Sequence, residues 1–175
     1  MTVTISGSGT IAGITSGGLG SNPIITQPEI VTGVAGTGPA FSAYCGATQT
    51  IANNTATKLQ VNTKEFDTAN CYDATTNYRF TPNVAGYYYV TLANGFASAT
   101  YPQLYLYKNG SQFKTGNYGG STTGGIQIMV LSVLVYLNGT TDYIEPWIYQ
   151  STGSSQTTIG GSANGYFQAV LVRSA

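Results

Sequence analysis

Tyr-Arg-Phe-Thr-Pro-Asn-Val-Ala-Gly-Tyr-Tyr-Tyr-Val-Thr-Leu, residues 78–92, is the stretch of sequence that decides the fold. Pro82 cannot donate a hydrogen bond to a strand ladder, so it predicts a turn before the strand. Gly86 predicts a tight bend where the chain enters that strand. The residues after Gly86 are tyrosine, valine, threonine and leucine, which suit a pleated and half-buried surface. The stretch therefore predicts a turn followed by a β-strand.

Side chains alternate between the two faces of such a strand. One face carries Tyr87, Tyr89 and Thr91, and the other carries Tyr88, Val90 and Leu92. Both faces are apolar or aromatic, so both should be covered. The core of the domain would cover one face, and we expect a second copy of the chain to cover the other.

Charged residues are scarce along the chain. They make up 7% of the 175 residues, against roughly 25% in typical soluble domains, and six basic residues balance six acidic ones. A neutral chain without a basic patch cannot neutralise a run of phosphates, so nucleic-acid binding is not expected. A weakly charged, tyrosine-rich surface would be poorly soluble if exposed, which favours incorporation into a larger assembly.

Insertion into a membrane and secretion are not expected either. The longest apolar run, residues 126–137, is interrupted by Gln127 and Ser132 and is too short to cross a bilayer. The N-terminus has no basic residue and no apolar segment typical of a secretory signal. In a chain without such a signal, Cys45 and Cys71 are expected as two free thiols rather than as one disulfide.

Residues 1–39 differ from the rest and predict an extended attachment arm ahead of a head at residues 40–175. The arm has no aromatic residue, one charge at Glu29, and many glycines, serines and threonines. A loose repeat, in which isoleucine precedes glycine by two positions, fits either a fibrous β-shaft or a flexible Gly/Ser-rich arm, and both remain open. The isoleucines could order the arm on a partner. They are Ile5, Ile11, Ile14, Ile24 and Ile25.

After residue 39 the sequence predicts short strands separated by turns. Alternating or β-rich segments occur at residues 40–44, 58–62, 87–92, 104–108, 126–137, 142–149 and 165–172. Asn109-Gly110 is the strongest hairpin signal, because a type I′ turn needs a positive φ at both central residues. Asn138-Gly139 predicts a second point at which the chain turns back. No window has helical periodicity bounded by caps, so the pattern predicts an all-β sandwich.

The chemistry needed for catalysis is largely missing. The chain has no histidine, which excludes histidine-based triads and histidine metal clusters. Glu65 and Asp67 would share a strand face and could form a glycosidase pair, although surface carboxylates are the favoured interpretation. Together with Asp73 they could also hold calcium, but no EF-hand-like spacing supports this. We expect no enzyme activity, no catalytic or metal-ligating residue and no cofactor, with calcium left open.

Several segments of the head resemble the C1q-like globular-head family of the first complement component, which is related to the tumour necrosis factor heads. In chain order, these segments are Pro39-Ala40-Phe41-Ser42-Ala43-Tyr44, Phe66-Asp67-Thr68-Ala69-Asn70, Tyr72-Asp73, Phe80-Thr81-Pro82, Gly86-Tyr87-Tyr88-Tyr89, Leu106-Tyr107-Lys108-Asn109-Gly110 and Phe167-Gln168-Ala169-Val170-Leu171. Together they span about three-quarters of the chain. Departures include Val90 and Leu92, where the family prefers aromatic residues, and Ala169, where it usually has glycine.

The resemblance implies a jelly-roll β-sandwich of about ten strands that assembles as a compact homotrimer and binds rather than catalyses. Some members bind calcium, but no calcium ligand can be matched residue by residue. The chain as a whole has these segments and a glycine-rich arm without a collagen repeat. In this combination it is similar to heads found on bacteriophage structural proteins.

The favoured hypothesis is therefore a homotrimeric virion structural protein of a bacteriophage, assembled in the host cytoplasm and displayed on the particle surface. Residues 1–39 would anchor it to other capsid or tail proteins. Capsid decoration, cementing of the capsid or a short head fibre is preferred to a tail-fibre tip. The predicted trimer-interface residues are Tyr87, Tyr88, Tyr89, Tyr105, Tyr107 and Phe167.

The alternative is a receptor- or carbohydrate-binding module that contacts a host-surface glycan. Aromatic residues at strand ends or in loops can stack on sugar faces. The candidates are Tyr101, Tyr118, Trp147 and Tyr149. Packing of Trp147 within the sandwich or at the trimer seam is nevertheless preferred to a role in ligand binding.

Overall fold

The computed structural model describes residues 38–99, 101–120 and 125–175, and in these residues the chain forms strands, turns and loops. The strands are β1 (Ala40–Tyr44), β2 (Thr50–Ile51), β3 (Thr57–Lys58), β4 (Thr63–Asp67), β5 (Tyr72–Asp73), β6 (Arg79–Phe80), β7 (Ala85–Phe96), β8 (Gln103–Lys108), β9 (Ser111–Tyr118), β10 (Gln127–Asn138), β11 (Ile144–Tyr149), β12 (Gln156–Thr157) and β13 (Tyr166–Ser174). Among the described residues, no helix is long and apolar enough to span a membrane.

Two antiparallel sheets pack face to face. One sheet has five strands in the order β10-β7-β13-β1-β4. The other has the order β5-β6-β11-β8-β9, with β3 also paired to β11. A short ladder of β12 and β2 lies apart from both sheets. This arrangement confirms the predicted all-β jelly-roll sandwich.

Strand β7 lies inside the five-stranded sheet, where it pairs with β10 on one side and β13 on the other. Its predicted alternation is confirmed. Tyr88, Val90 and Leu92 point into the sandwich and are fully buried. Tyr87 and Tyr89 point outward and are 48% and 45% exposed.

Gly86 has a different role from the predicted bend. It is the second residue of β7, and a Cβ at this position would lie 2.4 Å from the carbonyl oxygen of Arg173 and 2.6 Å from Leu171 Cδ1. The pairing register between β7 and β13 shifts at this point, between Leu171 and Arg173. Gly86 is therefore required because the two strands approach too closely for any side chain.

Aromatic rings fill the core between the two sheets. The Phe41 ring is stacked at 4.4 Å on Tyr72 and at 4.7 Å on Phe80. It also meets the edge of Phe167 at 5.0 Å, and Phe80 meets Tyr88 at 5.5 Å. Stacked and edge-to-face pairs at these separations contribute about 0.5–1.5 kcal/mol each beyond the burial of their area.

The two tyrosines of this core keep their hydroxyl groups hydrogen-bonded. Tyr72 donates to the carbonyl oxygen of Val61 at 2.7 Å, and Tyr88 donates to that of Val84 at 2.7 Å. Both acceptors lie outside the strands, so the hydroxyls tie neighbouring loops to the core. A buried hydroxyl without such a partner would destabilise the fold.

The two Asn-Gly turns differ in what they connect. Asn109 and Gly110 have φ values of 52° and 78°, and they join β8 to β9 with Lys108 opposite Ser111. This confirms the predicted type I′ hairpin. Asn138-Gly139 instead leads from β10 to β11, which belong to different sheets. The predicted turn is therefore present, but it crosses from one sheet to the other and does not form a hairpin like that of Asn109-Gly110.

The segment at residues 58–62 forms less strand than its alternation predicts. Strand β3 ends at Lys58, although Leu59 and Val61 are still fully buried. The Leu59 amide donates to the carbonyl of Pro146, a residue that cannot itself donate to a neighbouring strand. Alternation therefore identified the buried residues correctly but overestimated the length of the strand.

Cys45 and Cys71 are free and buried. Burial raises the pKa of Cys45 to about 11, although a hydrogen bond from Asn94 works in the opposite direction. Burial also raises the pKa of Cys71. Both thiols are thus protonated near neutral pH and serve as small apolar side chains.

Replacement of Gly86 by alanine tests the close approach of β7 and β13. We expect Gly86→Ala to lower the free energy of unfolding by about 1–3 kcal/mol, because the new methyl group would clash with the backbone of β13. The measurement is urea unfolding at a fixed protein concentration. Gly120→Ala is the control, because a Cβ at residue 120 would have no atom within 4 Å. Equal midpoints for the two variants would contradict the packing argument.

Candidate functional site

The outward face of the five-stranded sheet carries a broad group of exposed apolar side chains, which we call the apolar sheet face. Its members are each between 40% and 59% exposed. They are Phe66, Tyr87, Tyr89, Val130, Leu134, Tyr136, Val170 and Val172. Soluble monomers seldom leave a broad apolar patch in water, so such a face indicates an interaction site.

Cross-strand pairing brings the members of the apolar sheet face together. Tyr136 lies opposite Tyr87, and their ring centroids are 5.5 Å apart. In the next outward row, Tyr89 lies between Leu134 on β10 and Val170 on β13. Directly opposite residues of an antiparallel pair have Cβ atoms about 4.5–5.5 Å apart, so these side chains form one surface.

The apolar sheet face is concave near the end of β13. A cavity of about 620 Å³ is lined there by Tyr87, Leu134, Val172 and residues 173–175. Arg173 is the one charged residue among the outward positions of β7, β10 and β13. The face therefore offers shape and apolar area with little charge, which suits a protein surface of the same kind.

The outward side of the six-stranded sheet carries a second group, which we call the aromatic strip. It consists of Tyr101, Tyr105, Tyr107, Tyr118, Trp147 and Tyr149. Trp147 lies opposite Tyr105, and Tyr149 lies opposite Gln103. Because this sheet covers the other side of the core, the aromatic strip and the apolar sheet face lie on opposite sides of the sandwich.

Ring contacts join Trp147, Tyr107, Tyr105 and Tyr149 into one group, and Tyr101 and Tyr118 form a separate pair. The Tyr107 and Trp147 rings are stacked at 4.4 Å, and Tyr105 lies 6.5 Å from both Tyr107 and Tyr149. Burial raises the pKa of Tyr105 above its ordinary value, and the nearby hydroxyls of Tyr149, Tyr118 and Tyr107 raise it further. The Tyr105 hydroxyl therefore stays protonated near neutral pH.

The Trp147 ring packs within the aromatic strip, and its faces are not open to a ligand. Tyr107 stacks on it from β8, and Lys58 Nζ lies 5.7 Å from its ring centroid on the β3 side. Lys58 also forms an ion pair of 2.6 Å with the buried Glu145. The Trp147 indole nitrogen is buried and has no hydrogen-bond partner in the part of the chain that the structure describes.

The carboxylates considered for catalysis or calcium are engaged by the chain itself. Glu65 accepts a hydrogen bond of 2.6 Å from the Ser42 hydroxyl. Asp67 accepts from the amides of Cys71 and Tyr72 at 3.0 Å each and orders the loop between β4 and β5. No group of three acidic or cysteine side chains that could hold a metal is found in the described ranges. The structure shows turn-forming carboxylates here, while calcium binding stays an untested prediction.

Asp73 organises the turn between β5 and β6. One of its oxygens accepts from the amides of Thr75 and Thr76 at 3.0 and 2.9 Å. The other accepts from the amide and the side-chain nitrogen of Asn77 at 3.0 and 2.8 Å. The hydrogen bonds from Thr76 and Thr75 are the main cause of an Asp73 pKa far below the usual range for a carboxyl group.

Solved structures of known proteins share this architecture. Murine APRIL at pH 5.0 superimposes with a TM-score of 0.61 at 8% identity, over 77% of this chain and 99% of that chain. Eiger TNF from S. frugiperda gives 0.56 at 11% identity, over 78% and 95% of the two chains. The PRD1 vertex protein P5 gives 0.58 at 15% identity, over 81% and 100%. The fold of the chain is therefore a TNF-like jelly roll. No protein-family model and no curated protein matches it.

The jelly roll divides the six predicted interface residues among three environments. Tyr87 and Tyr89 belong to the apolar sheet face. Tyr88 and Phe167 are fully buried in the core of one chain, so their assignment to an interface was wrong. Tyr105 and Tyr107 lie on the opposite sheet from Tyr87 and Tyr89, and their place at an interface stays a prediction. A run of tyrosines alternates between faces, so it cannot contribute all of its side chains to one surface.

Most of the apolar sheet face was missed by sequence reasoning. Val130, Leu134 and Tyr136 alternate with the buried Leu131 and Val135 along β10. A strand that is apolar on both faces predicts a partner on its outer face. This reasoning was applied to β7 but not to β10, although it holds for both. The run Ala169–Val172 gave the same signal for Val170 and Val172 on β13, and it was not used either. Phe66 gave no such signal, because it lies between the charged Glu65 and Asp67.

The four predicted ligand-binding aromatics do lie on one side of the jelly roll. Tyr101 and Tyr118 are 49% and 60% exposed at one end of the aromatic strip. Tyr149 and Trp147 are half-buried further along it. The predicted arm isoleucines, Ile5, Ile11, Ile14, Ile24 and Ile25, and most of the proposed 1–39 segment lie outside the described residues.

The Asp73 turn predicts a particular dependence of stability on pH. A carboxyl group whose pKa is lowered by folding stabilises the fold above its unfolded pKa, here 3.8, and that contribution is lost as the pH falls further. We expect Asp73→Asn to lower the free energy of unfolding by about 1 kcal/mol at pH 7, since an amide cannot accept all of these hydrogen bonds.

The difference between Asp73→Asn and wild type should shrink below pH 3.8, and urea titrations from pH 7 to pH 2 measure it. Thr76→Ser is the control, because it retains the backbone amide that donates to Asp73. A difference that is constant down to pH 2 would exclude the charged turn as its cause.

Proposed function

We propose that the protein is a non-enzymatic structural head that assembles as a homotrimer through its apolar sheet face and forms part of a bacteriophage virion. The observation that carries this proposal is the apolar sheet face itself. Eight exposed apolar side chains on one sheet form a surface of the kind that marks a site of protein association. In a closed ring of three copies, each copy covers the apolar sheet face of its neighbour with a different part of its own surface.

The trimeric state is inferred from the jelly-roll resemblance, since heads of this kind assemble as compact homotrimers. Tyrosine, which is enriched in interface cores, supplies large apolar area together with a hydroxyl that can find a partner. Tyr87, Tyr89 and Tyr136 would lie in the seam under this arrangement.

A place on a virion is supported by the similarity to the PRD1 vertex protein P5, a phage protein whose whole chain is covered by the match. In this proposal the head is displayed on the particle surface after assembly in the host cytoplasm. Residues 1–39 attach it to other capsid or tail proteins. Capsid decoration, cementing or a short head fibre is the placement that we favour.

Assembly can be tested by the mass of the protein in solution. Wild type should have a mass of about 55 kDa by light scattering, the value for three chains of 18.3 kDa. Leu134→Glu places a charge at the most exposed member of the apolar sheet face and should shift the mass toward that of a single chain.

The matched control for assembly is Phe113→Glu. Phe113 is also an exposed apolar residue, but it lies on β9 in the opposite sheet, so this variant should keep the mass of wild type. Wild-type protein with the mass of one chain at micromolar concentration would contradict the proposed trimer. Loss of assembly in Phe113→Glu but not in Leu134→Glu would place the interface on the other sheet.

A tail-fibre tip that binds a receptor or a carbohydrate is the second candidate, and the aromatic strip is the observation that favours it. The two placements differ in where the protein lies on the particle. Gold-labelled antibody against the head should label intact virions at many points over the capsid shell. Label confined to the tail would reject capsid decoration in favour of the fibre tip.

A further inference from the structure

We infer that the Tyr101 and Tyr118 end of the aromatic strip is a binding subsite for a neutral oligosaccharide. This inference deepens the second candidate function and rests on it. The subsite lies on the sheet opposite the apolar sheet face, so assembly leaves it open to solvent.

The first argument is the geometry of two open rings. Tyr101 and Tyr118 are 49% and 60% exposed, more than the other members of the strip. Their ring centroids lie 5.8 Å apart and the ring planes are tilted by 41°. Two rings held in this way form a shallow cleft. The faces of the rings can contact the apolar CH face of a sugar ring.

The second argument is that the backbone holds these rings in place. The Gly119 amide donates to the carbonyl of Pro102 at 2.9 Å and joins the two segments that carry the rings. A Cβ at Gly119 would lie 2.6 Å from Pro102 Cγ, so the approach requires glycine. Tyr101 has a φ of 49°, which is strained for a tyrosine. Residues held in strained backbone conformations cluster at functional sites.

The third argument concerns the polar groups next to the two rings. Gln103 lies opposite Tyr118 and accepts a hydrogen bond of 2.7 Å from the Tyr105 hydroxyl. On the other side of β8, the Tyr149 hydroxyl donates to Asn54 Oδ1 at 3.0 Å. Amide and hydroxyl groups are neutral donors and acceptors, which are the groups that pair with sugar hydroxyls.

The charge of the strip limits the class of ligand. The ion pair next to Trp147 joins Lys58 and Glu145 at 2.6 Å, so the two charges neutralise each other. The Tyr105 hydroxyl stays protonated near neutral pH. A charged ligand would find no uncompensated opposite charge among these residues, whereas a neutral sugar finds aromatic faces and neutral polar groups. A protein partner would be expected to need the broad aliphatic area that the other sheet provides.

These contacts assign different roles to the aromatic residues. Tyr101 and Tyr118 contact the ligand, and Tyr149 and Gln103 extend the subsite across β8. Trp147 and Tyr107 are stacked on each other and act as positioning residues, since the Trp147 ring is covered by Tyr107 and Lys58.

The experiment measures binding of the assembled wild-type protein to an array that holds neutral oligosaccharides built from hexoses and N-acetylhexosamines together with sulfated and carboxylated oligosaccharides. The best-bound oligosaccharide is then titrated by calorimetry. Tyr118→Ala and Tyr101→Ala should each weaken binding by about tenfold or more, because each removes a stacking surface. Tyr118→Phe keeps the ring and should retain most of the affinity. Phe113→Ala removes another exposed ring of β9 and should leave binding unchanged.

Three results would overturn the subsite: no binding to any neutral oligosaccharide, binding unchanged in Tyr118→Ala, or binding confined to sulfated or carboxylated sugars. A fourth result would also overturn it. If the aromatic strip captured a bacterial surface component, and if protease but not periodate treatment of that component abolished the capture, the ligand would be a protein. Light scattering on the same samples separates this inference from assembly. A Tyr118→Ala variant that keeps the mass of a trimer but no longer binds the oligosaccharide supports the subsite. Wild-type protein that binds the oligosaccharide but has the mass of a single chain contradicts the trimer and not the subsite.

Discussion

Strand β7 must be covered on both of its faces, and much of the structure depends on how this is achieved. Its inward side chains, Tyr88, Val90 and Leu92, are covered by the second sheet of the same chain. Its outward side chains, Tyr87 and Tyr89, have no cover within the described residues and remain nearly half exposed. Burial of apolar area yields roughly 25 cal/mol per Å², so a strand of this composition favours a partner on its outer side. The fold covers one face of β7, and the proposed association would cover the other.

The close approach of neighbouring strands sets the register on which both faces depend. Gly86 allows β13 to pass within contact distance of β7, and the β13 register shifts next to it, between Leu171 and Arg173. A shift of one residue would move Tyr87 and Tyr89 into the core and Tyr88 to the surface. The aromatic cluster around Phe41 opposes such a shift, because its rings are matched to one another at 4.4–5.0 Å. Core packing and surface chemistry are thus consequences of the same register.

Three of the carboxylates in the described residues order turns and loops. Asp67 and Asp73 accept hydrogen bonds from backbone amides in successive loops, and Asp142 accepts one from Asn138 and pairs with Lys108 at 3.0 Å. Carboxylates used in this way leave the outer faces of both sheets nearly uncharged. The two faces differ in kind: one is aliphatic and aromatic, which suits another copy of the chain, and the other combines tyrosine rings with neutral polar groups. Association and ligand binding can therefore occupy opposite sides of one head.

The sequence by itself determined the all-β class, the alternation of β7 and the Asn109-Gly110 hairpin, because each follows from local chemistry: strand periodicity, proline and glycine geometry, and positive φ. The alternation at residues 58–62 is also consistent with the burial of Leu59 and Val61. Only the tertiary structure decided which tyrosines share a surface, since Tyr87 and Tyr105 lie in strands that pack on opposite sides of the core. It likewise decided that Asn138-Gly139 crosses between sheets and that the Trp147 ring is covered by Tyr107. These outcomes depend on contacts between residues far apart in the chain, and the local pattern of a strand carries no information about which sheet the strand joins.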